Sequence, residues 1–77
     1  MPLPERFESY KGYLIRPFSM ELNERWTVGA FIRSTVEGSA ERSFQDKGKF
    51  AASHDEAIGL SIAFGKSVVD AGAMSTS

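Results

Sequence analysis

The chain has no cysteine, a single histidine, no long apolar run and no excess of charge of either sign. Each absence removes a class of protein. Without cysteine there is no disulfide and no thiolate metal site, and His54 alone cannot assemble a zinc centre. Nine Lys plus Arg against ten Asp plus Glu leave a net charge of −1, so no global field recruits polyanions. The opening Met1-Pro2-Leu3-Pro4-Glu5-Arg6 lacks the apolar core of a secretory signal. The longest apolar-leaning run, Ala57 to Ala63, is broken by Gly59 and Ser61 and falls far short of the roughly 18 residues a membrane span requires. Cytoplasm is the expected location, in keeping with a chain that has no cysteine to oxidise.

Catalytic signatures are missing too. There is no glycine-rich phosphate loop, nucleophile elbow or zinc spacing, and Glu21, Glu24, Glu37, Glu41, Asp46, Asp55, Glu56 and Asp70 form no spaced pair on a common face. His54 lies within a helix-capping sequence, where almost any polar side chain is tolerated. The expectation is a protein that is not an enzyme and carries no cofactor or metal.

At 77 residues the chain suffices for one small core. Residues 1–9, with two prolines and no periodicity, read as an irregular arm; residues 10–72 as a single α+β domain; residues 73–77 as a disordered tail. Tyr10 to Arg16 is aromatic and branched and stops at Pro17, which suits an edge strand, with Phe18 a possible extension. Ser19 to Glu24 reads as a hairpin loop. Arg25 to Ser34 carries the clearest alternation: Trp26, Val28, Ala30 and Ile32 on one face, Thr27, Gly29, Phe31 and Arg33 on the other. After a turn at Thr35 to Gly38, Ser39 to Gln45 reads as a third strand, and residues 49–51 either continue it past a bulge or form a short extra one. The expected fold is a three-stranded antiparallel β-meander packed against one C-terminal α-helix, in the order β-β-β-α.

The helix start is the strongest local signal. Ser53-His54-Asp55-Glu56 is a capping box, and Asp55 and Glu56 put negative charge at the positive end of the helix dipole. Helix is expected from His54 to about Asp70, with Gly72 as the cap. On a helical wheel Ala57, Leu60, Phe64, Val68 and Ala71 form the stripe expected to face the sheet, and Ile58, Ile62, Gly65 and Val69 form a second stripe beside it. Gly59 with Ala63, and Ser61 with Gly65, are small pairs four apart that admit the close approach of another backbone.

A chain this short has few means of reinforcing its core, and self-association is the one open to it. A helix resting on one sheet should be polar over more than half its circumference, so Ile58, Ile62, Gly65, Val69 and the outward-facing Phe31 are the candidate interface. The other reading is that the second stripe covers a strongly twisted sheet or sits under the N-terminal arm. The expected function is a small protein–protein interaction or regulatory module, homodimeric or bound to another protein. The alternative is a nucleic-acid-binding regulator using Arg16, Arg33 and Arg42, which together with Arg25 come from neighbouring strands interleaved with Trp26 and Phe31.

The strand–strand–strand–helix order and the Ser53-His54-Asp55-Glu56-Ala57 step resemble the small domain of HicB-type antitoxins, and the order of elements is also that of double-stranded-RNA-binding-like modules. The resemblance spans roughly Tyr10 to Asp70 and implies an antitoxin-like regulator. The chain also looks like short bacterial proteins of the same length and β-β-β-α pattern, a likeness that implies no function.

Overall fold

The computed structural model of the chain describes residues 7–35 and 40–72. The expected tail at 73–77, the arm ahead of Phe7 and most of the turn at Thr35 to Gly38 lie outside the described residues. The architecture is α+β, an antiparallel sheet followed by one C-terminal helix. The strands are β1 (Glu8–Tyr10), β2 (Tyr13–Phe18), β3 (Glu21–Leu22), β4 (Arg25–Ser34) and β5 (Arg42–Ala51), and the helix is α1 (His54–Asp70). The sheet has five strands rather than the expected three.

Both additional strands come from tight turns that carry ordinary side chains at positive φ. At Lys11-Gly12 (φ 48° and 83°) the expected first strand folds back on itself, so that Tyr10 faces Tyr13 and part of the supposed arm becomes β1. At Asn23-Glu24 (φ 52° and 65°) the second hairpin closes, with Leu22 opposite Arg25. Two successive residues at positive φ match the twist of antiparallel strands, which is why such turns close two-residue hairpins. β3 shares the register of β2 on β4, so the two are one arm interrupted at Ser19-Met20. Thr27 bridges the interruption: its backbone N–H donates to the Met20 carbonyl, and its Oγ1 accepts from the Met20 N–H, each at 2.9 Å.

β5 continues to Ala51 past an irregularity. Gln45 stands opposite Gly29 and Phe50 opposite Thr27, so residues 46–49 are set against the single Val28. The sheet therefore runs β1, β2 with β3, β4, β5, with β1 and β5 at its edges.

Helix α1 spans the residues its signals indicate. Ser53 Oγ accepts from the Glu56 N–H at 3.2 Å, Ala71 ends the helix, and Gly72 follows at φ 78°. The part of the helix that meets the sheet differs from expectation. Ala57, Ser61, Gly65 and Val68 are its buried residues, while Leu60 and Phe64 on one flank and Ile58, Ile62 and Val69 on the other are half-buried. Ala71, assigned to the sheet-facing stripe, is exposed. The two stripes are the two shoulders of one contact whose centre is a row of small residues.

That row lets the helix sink onto β2 and β4. A Cβ placed on Gly65 would stand 2.4 Å from Cγ2 of Ile15, which is wholly buried. Four residues earlier, Ser61 Oγ accepts from the Gly29 N–H at 3.2 Å and so satisfies a buried donor beside the β5 irregularity. The small pair read as a seat for a foreign backbone is thus occupied by the chain's own sheet. Ile15, Ala30, Ile32 and Val68 form the core, with Tyr10, Tyr13, Phe44, Phe64 and Val69 packed around it.

A polar latch ties the end of α1 to the β1–β2 hairpin. Asp70 accepts from the Tyr10 hydroxyl at 2.9 and 3.0 Å and from Lys11 Nζ at 2.7 Å, and Lys66 pairs with Glu8. No basic side chain occupies the last helical turn, so Lys11 supplies from the hairpin the positive charge that the negative helix end favours. The hydrogen bond from Lys11, and then that from Tyr10, hold the Asp70 carboxyl below its ordinary 3.8; the same pairing holds Lys11 above its ordinary 10.5.

Glycine-to-alanine changes in α1 should have opposite signs. Gly59 faces open space, so Gly59→Ala is expected to stabilise by about 0.5–1 kcal/mol through its effect on chain entropy. Gly65→Ala should destabilise by about 1–3 kcal/mol, because Ile15 has to move. Urea unfolding of both variants measures this, and an equal gain at the two sites would contradict the close contact.

The latch has its own pH signature. A carboxyl depressed in the folded state stabilises above its ordinary value and loses that contribution as pH falls through the folded value. Asp70→Asn is therefore expected to lower the melting temperature at pH 7, the difference closing as pH falls below the ordinary carboxyl value of 3.8 and on through the lower folded one. A gap that persisted in acid would mean that Asp70 acts through something other than its charge.

Candidate functional site

Alternation along strands places cross-strand partners on a common face. Ile15 with Ile32, Pro17 with Ala30 and Ala30 with Phe44 lie under α1. The reverse face carries Leu14 with Arg33, Arg16 with Phe31, Phe18 with Gly29, Phe31 with Ser43, Thr27 with Phe50, and Leu22 with Arg25. Phe7 is in phase with Ser9, the partner of Leu14, and Met20 pairs through its backbone with Thr27. Among the described residues the exposed large hydrophobics are Phe7, Phe18, Met20, Leu22 and Phe50, and all five belong to this reverse face. With half-buried Leu14 and Phe31 they form a patch on a side of the sheet that α1 does not cover.

Arginine is interleaved with these rings. The Arg16 guanidinium lies 4.7 Å from the centre of the Phe31 ring and bonds Glu41 at 2.9 Å, reaching across β4 to do so. Phe18 meets Phe31 edge to face at 5.2 Å. Arg25 lies 5.7 Å from the centre of Phe50, and these two with Leu22 and Asn23 line a shallow notch at the turn end of the face. Arg33 is exposed at the opposite end. Glycine at position 29 keeps the middle of the face low, since a Cβ there would stand 2.9 Å from the Phe44 carbonyl oxygen.

The candidate residues divide between the two sides of the molecule. Phe31, Arg16 and Arg33 are brought together on the open face. Arg42, the register partner of Ile32, lies on the helix side with its guanidinium 5.5 Å from the centre of Phe44. Gly65 is sealed against Ile15, and Ile58, Ile62 and Val69 are half-buried shoulders of the helix–sheet contact. His54 packs its ring 4.9 Å from that of Trp26. No group of three His, Cys, Asp or Glu side chains among the described residues is arranged to hold a metal ion, and no described helix is long and apolar enough to cross a membrane.

Phe7, Met20, Leu22 and Phe50 are members of the face that sequence reasoning missed. For two of them a signal was present: Phe18, Met20 and Leu22 continue a period of two through the supposed loop. Phe50 has no such signal, because the irregularity at residues 46–49 breaks the alternation of β5.

Compared with known proteins, the chain matches no family model, no curated protein and no solved structure.

Proposed function

We propose that this chain is a small non-enzymatic binding module of the regulatory kind, and that its working surface is the open face of the sheet. The observation that carries this reading is the collection on that face, among arginines, of all five exposed large hydrophobics of the described residues. Phenylalanine, methionine and arginine are the residue types enriched where proteins bind, and lysine and glutamate are depleted there.

Charge indicates what kind of partner fits. Although the chain is net −1, among the described residues given a face by pairing or an ion pair the open face carries Arg16, Arg25 and Arg33 against Glu41. Glu8 and Glu21, register partners of Ile15 and Trp26, and Asp55, Glu56 and Asp70 of α1 belong to the other side. Counting these described residues alone, two copies pressed face to face would set six arginines against two glutamates, which disfavours self-pairing and favours an anionic partner. A homodimer, if formed, would use this face in place of the helix stripe, and salt would strengthen it by screening the arginines.

Two measurements test the reading. Sedimentation at low salt should give the mass of one chain, and a dimer that weakens as salt rises would reverse the charge argument. Heparin, used as a generic polyanion and followed by amide NMR shifts, should perturb Leu14, Phe18, Thr27, Phe31 and Arg33. Shifts confined to Asp55, Gly59 and Lys66 on the outside of α1, or none at all, would remove the open face as the binding surface.

A further inference from the structure

Resting on that reading, we infer that the anionic partner is a single-stranded nucleic acid, laid across β2, β4 and β5 with its bases on phenyl rings and its phosphates toward Arg25 and Arg33. Three features of the face argue for this ligand over other polyanions.

The first is the pairing of rings with guanidinium groups. Arg16 over Phe31 and Arg25 over Phe50 form two mixed platforms, and Phe18, 42% exposed and set edge-on to Phe31, adds a third ring. Unpaired bases stack on rings and on guanidinium planes alike, whatever their identity. Carboxylates of an acidic peptide gain nothing from a phenyl surface, so such a partner would leave the rings without a role.

The second is shape. The longer two dimensions of the molecule are 39 and 30 Å, and the open face is a sheet surface with its centre kept low by Gly29. Among the described elements the single helix packs on the opposite face and is not available to enter a duplex groove from this side. A surface of this kind suits a strand whose bases are already splayed, over a site of roughly 4–6 nucleotides, the small end of the range for sheet-based single-strand binders.

The third is the placement of charge. Arg25 and Arg33 stand near opposite ends of β4, with the ring platforms between them, so phosphates at the two ends of a short segment could be held while the middle stacks. Arg42, on the helix side, takes no part.

The test is fluorescence anisotropy of the whole chain with three labelled probes: a ten-nucleotide single strand (oligouridylate or oligothymidylate), a ten-base-pair duplex and a ten-residue polyglutamate peptide. The single strand should bind tightest. Its affinity should fall with salt at a log–log slope of about −1 to −2, as expected for two or three phosphate contacts. Phe18→Ala and Phe50→Ala should each weaken it roughly tenfold. Arg33→Gln and Arg25→Gln should weaken it roughly three- to tenfold and flatten the salt slope, and Arg42→Gln should leave it unchanged. All of these positions are at the surface, and circular dichroism confirms that each variant is folded. Equal binding of duplex and single strand with no effect of Phe18→Ala would overturn stacking. Polyglutamate binding as tightly as the oligonucleotide would assign the face to an acidic protein. Binding of none of the three, while heparin still perturbs the open face, would sink the nucleic-acid assignment and leave the binding-module reading standing; if heparin fails as well, both fall.

Discussion

The structure depends on how closely one helix approaches one sheet. Ala57, Ser61 and Gly65 occupy successive turns of α1, and none has a side chain large enough to hold the helix away from β2 and β4. Ile15 fills the space over Gly65, and the Ser61 hydroxyl takes the Gly29 N–H, so the contact is both packed and satisfied in its hydrogen bonds. Because the helix sits low, its shoulders also touch the sheet. Leu60 and Phe64 on one side and Ile58, Ile62 and Val69 on the other are covered over most of their surface, and a helix that looks too apolar for a wet surface is accounted for by its own chain.

Once α1 is committed to one face, no other described helix covers the reverse one. The molecule is only 16 Å through its shortest axis, a single helix layer on a single sheet layer. A half-covered sheet that served only as scaffold would carry polar side chains on its wet side. This one carries Phe18, Phe31, Phe50, Met20 and Leu22 there, with arginines between them. Arg16 lies over the Phe31 ring and also bonds Glu41. Among the described residues, most carboxylates given a face lie with the helix, together with Lys11, Arg42 and Lys66, while Arg16, Arg25 and Arg33 lie opposite with Glu41. A net charge of −1 conceals that partition, because a sum over the chain carries no information about direction.

Much of the fold was legible locally. The capping box at Ser53 and the glycine at position 72 bound the helix, and the alternation of Trp26, Val28, Ala30 and Ile32 orients β4, because both signals act over a few residues. The turns were less legible. Gly12 and Asn23 favour positive φ, but Lys11 and Glu24 beside them give weak warning of it, so β1 and β3 were hidden inside a strand and a loop. Of the arginines, Arg33 could be assigned to a face by parity with Phe31 on the same strand, whereas Arg16 and Arg42 could not, since their faces are set only by pairing with Phe31 and Ile32.

By itself the sequence determined the class of the fold, the extent of the helix and the two-faced character of β4, because each follows from local hydrogen bonding and from the period of the backbone. Tertiary structure decided the rest: which helix residues form the centre of the contact, where the hairpins close, and which side of the sheet collects the exposed rings and arginines. Those outcomes depend on register and on the distance between layers, which are properties of pairs of segments far apart along the chain. No window of neighbouring residues contains them.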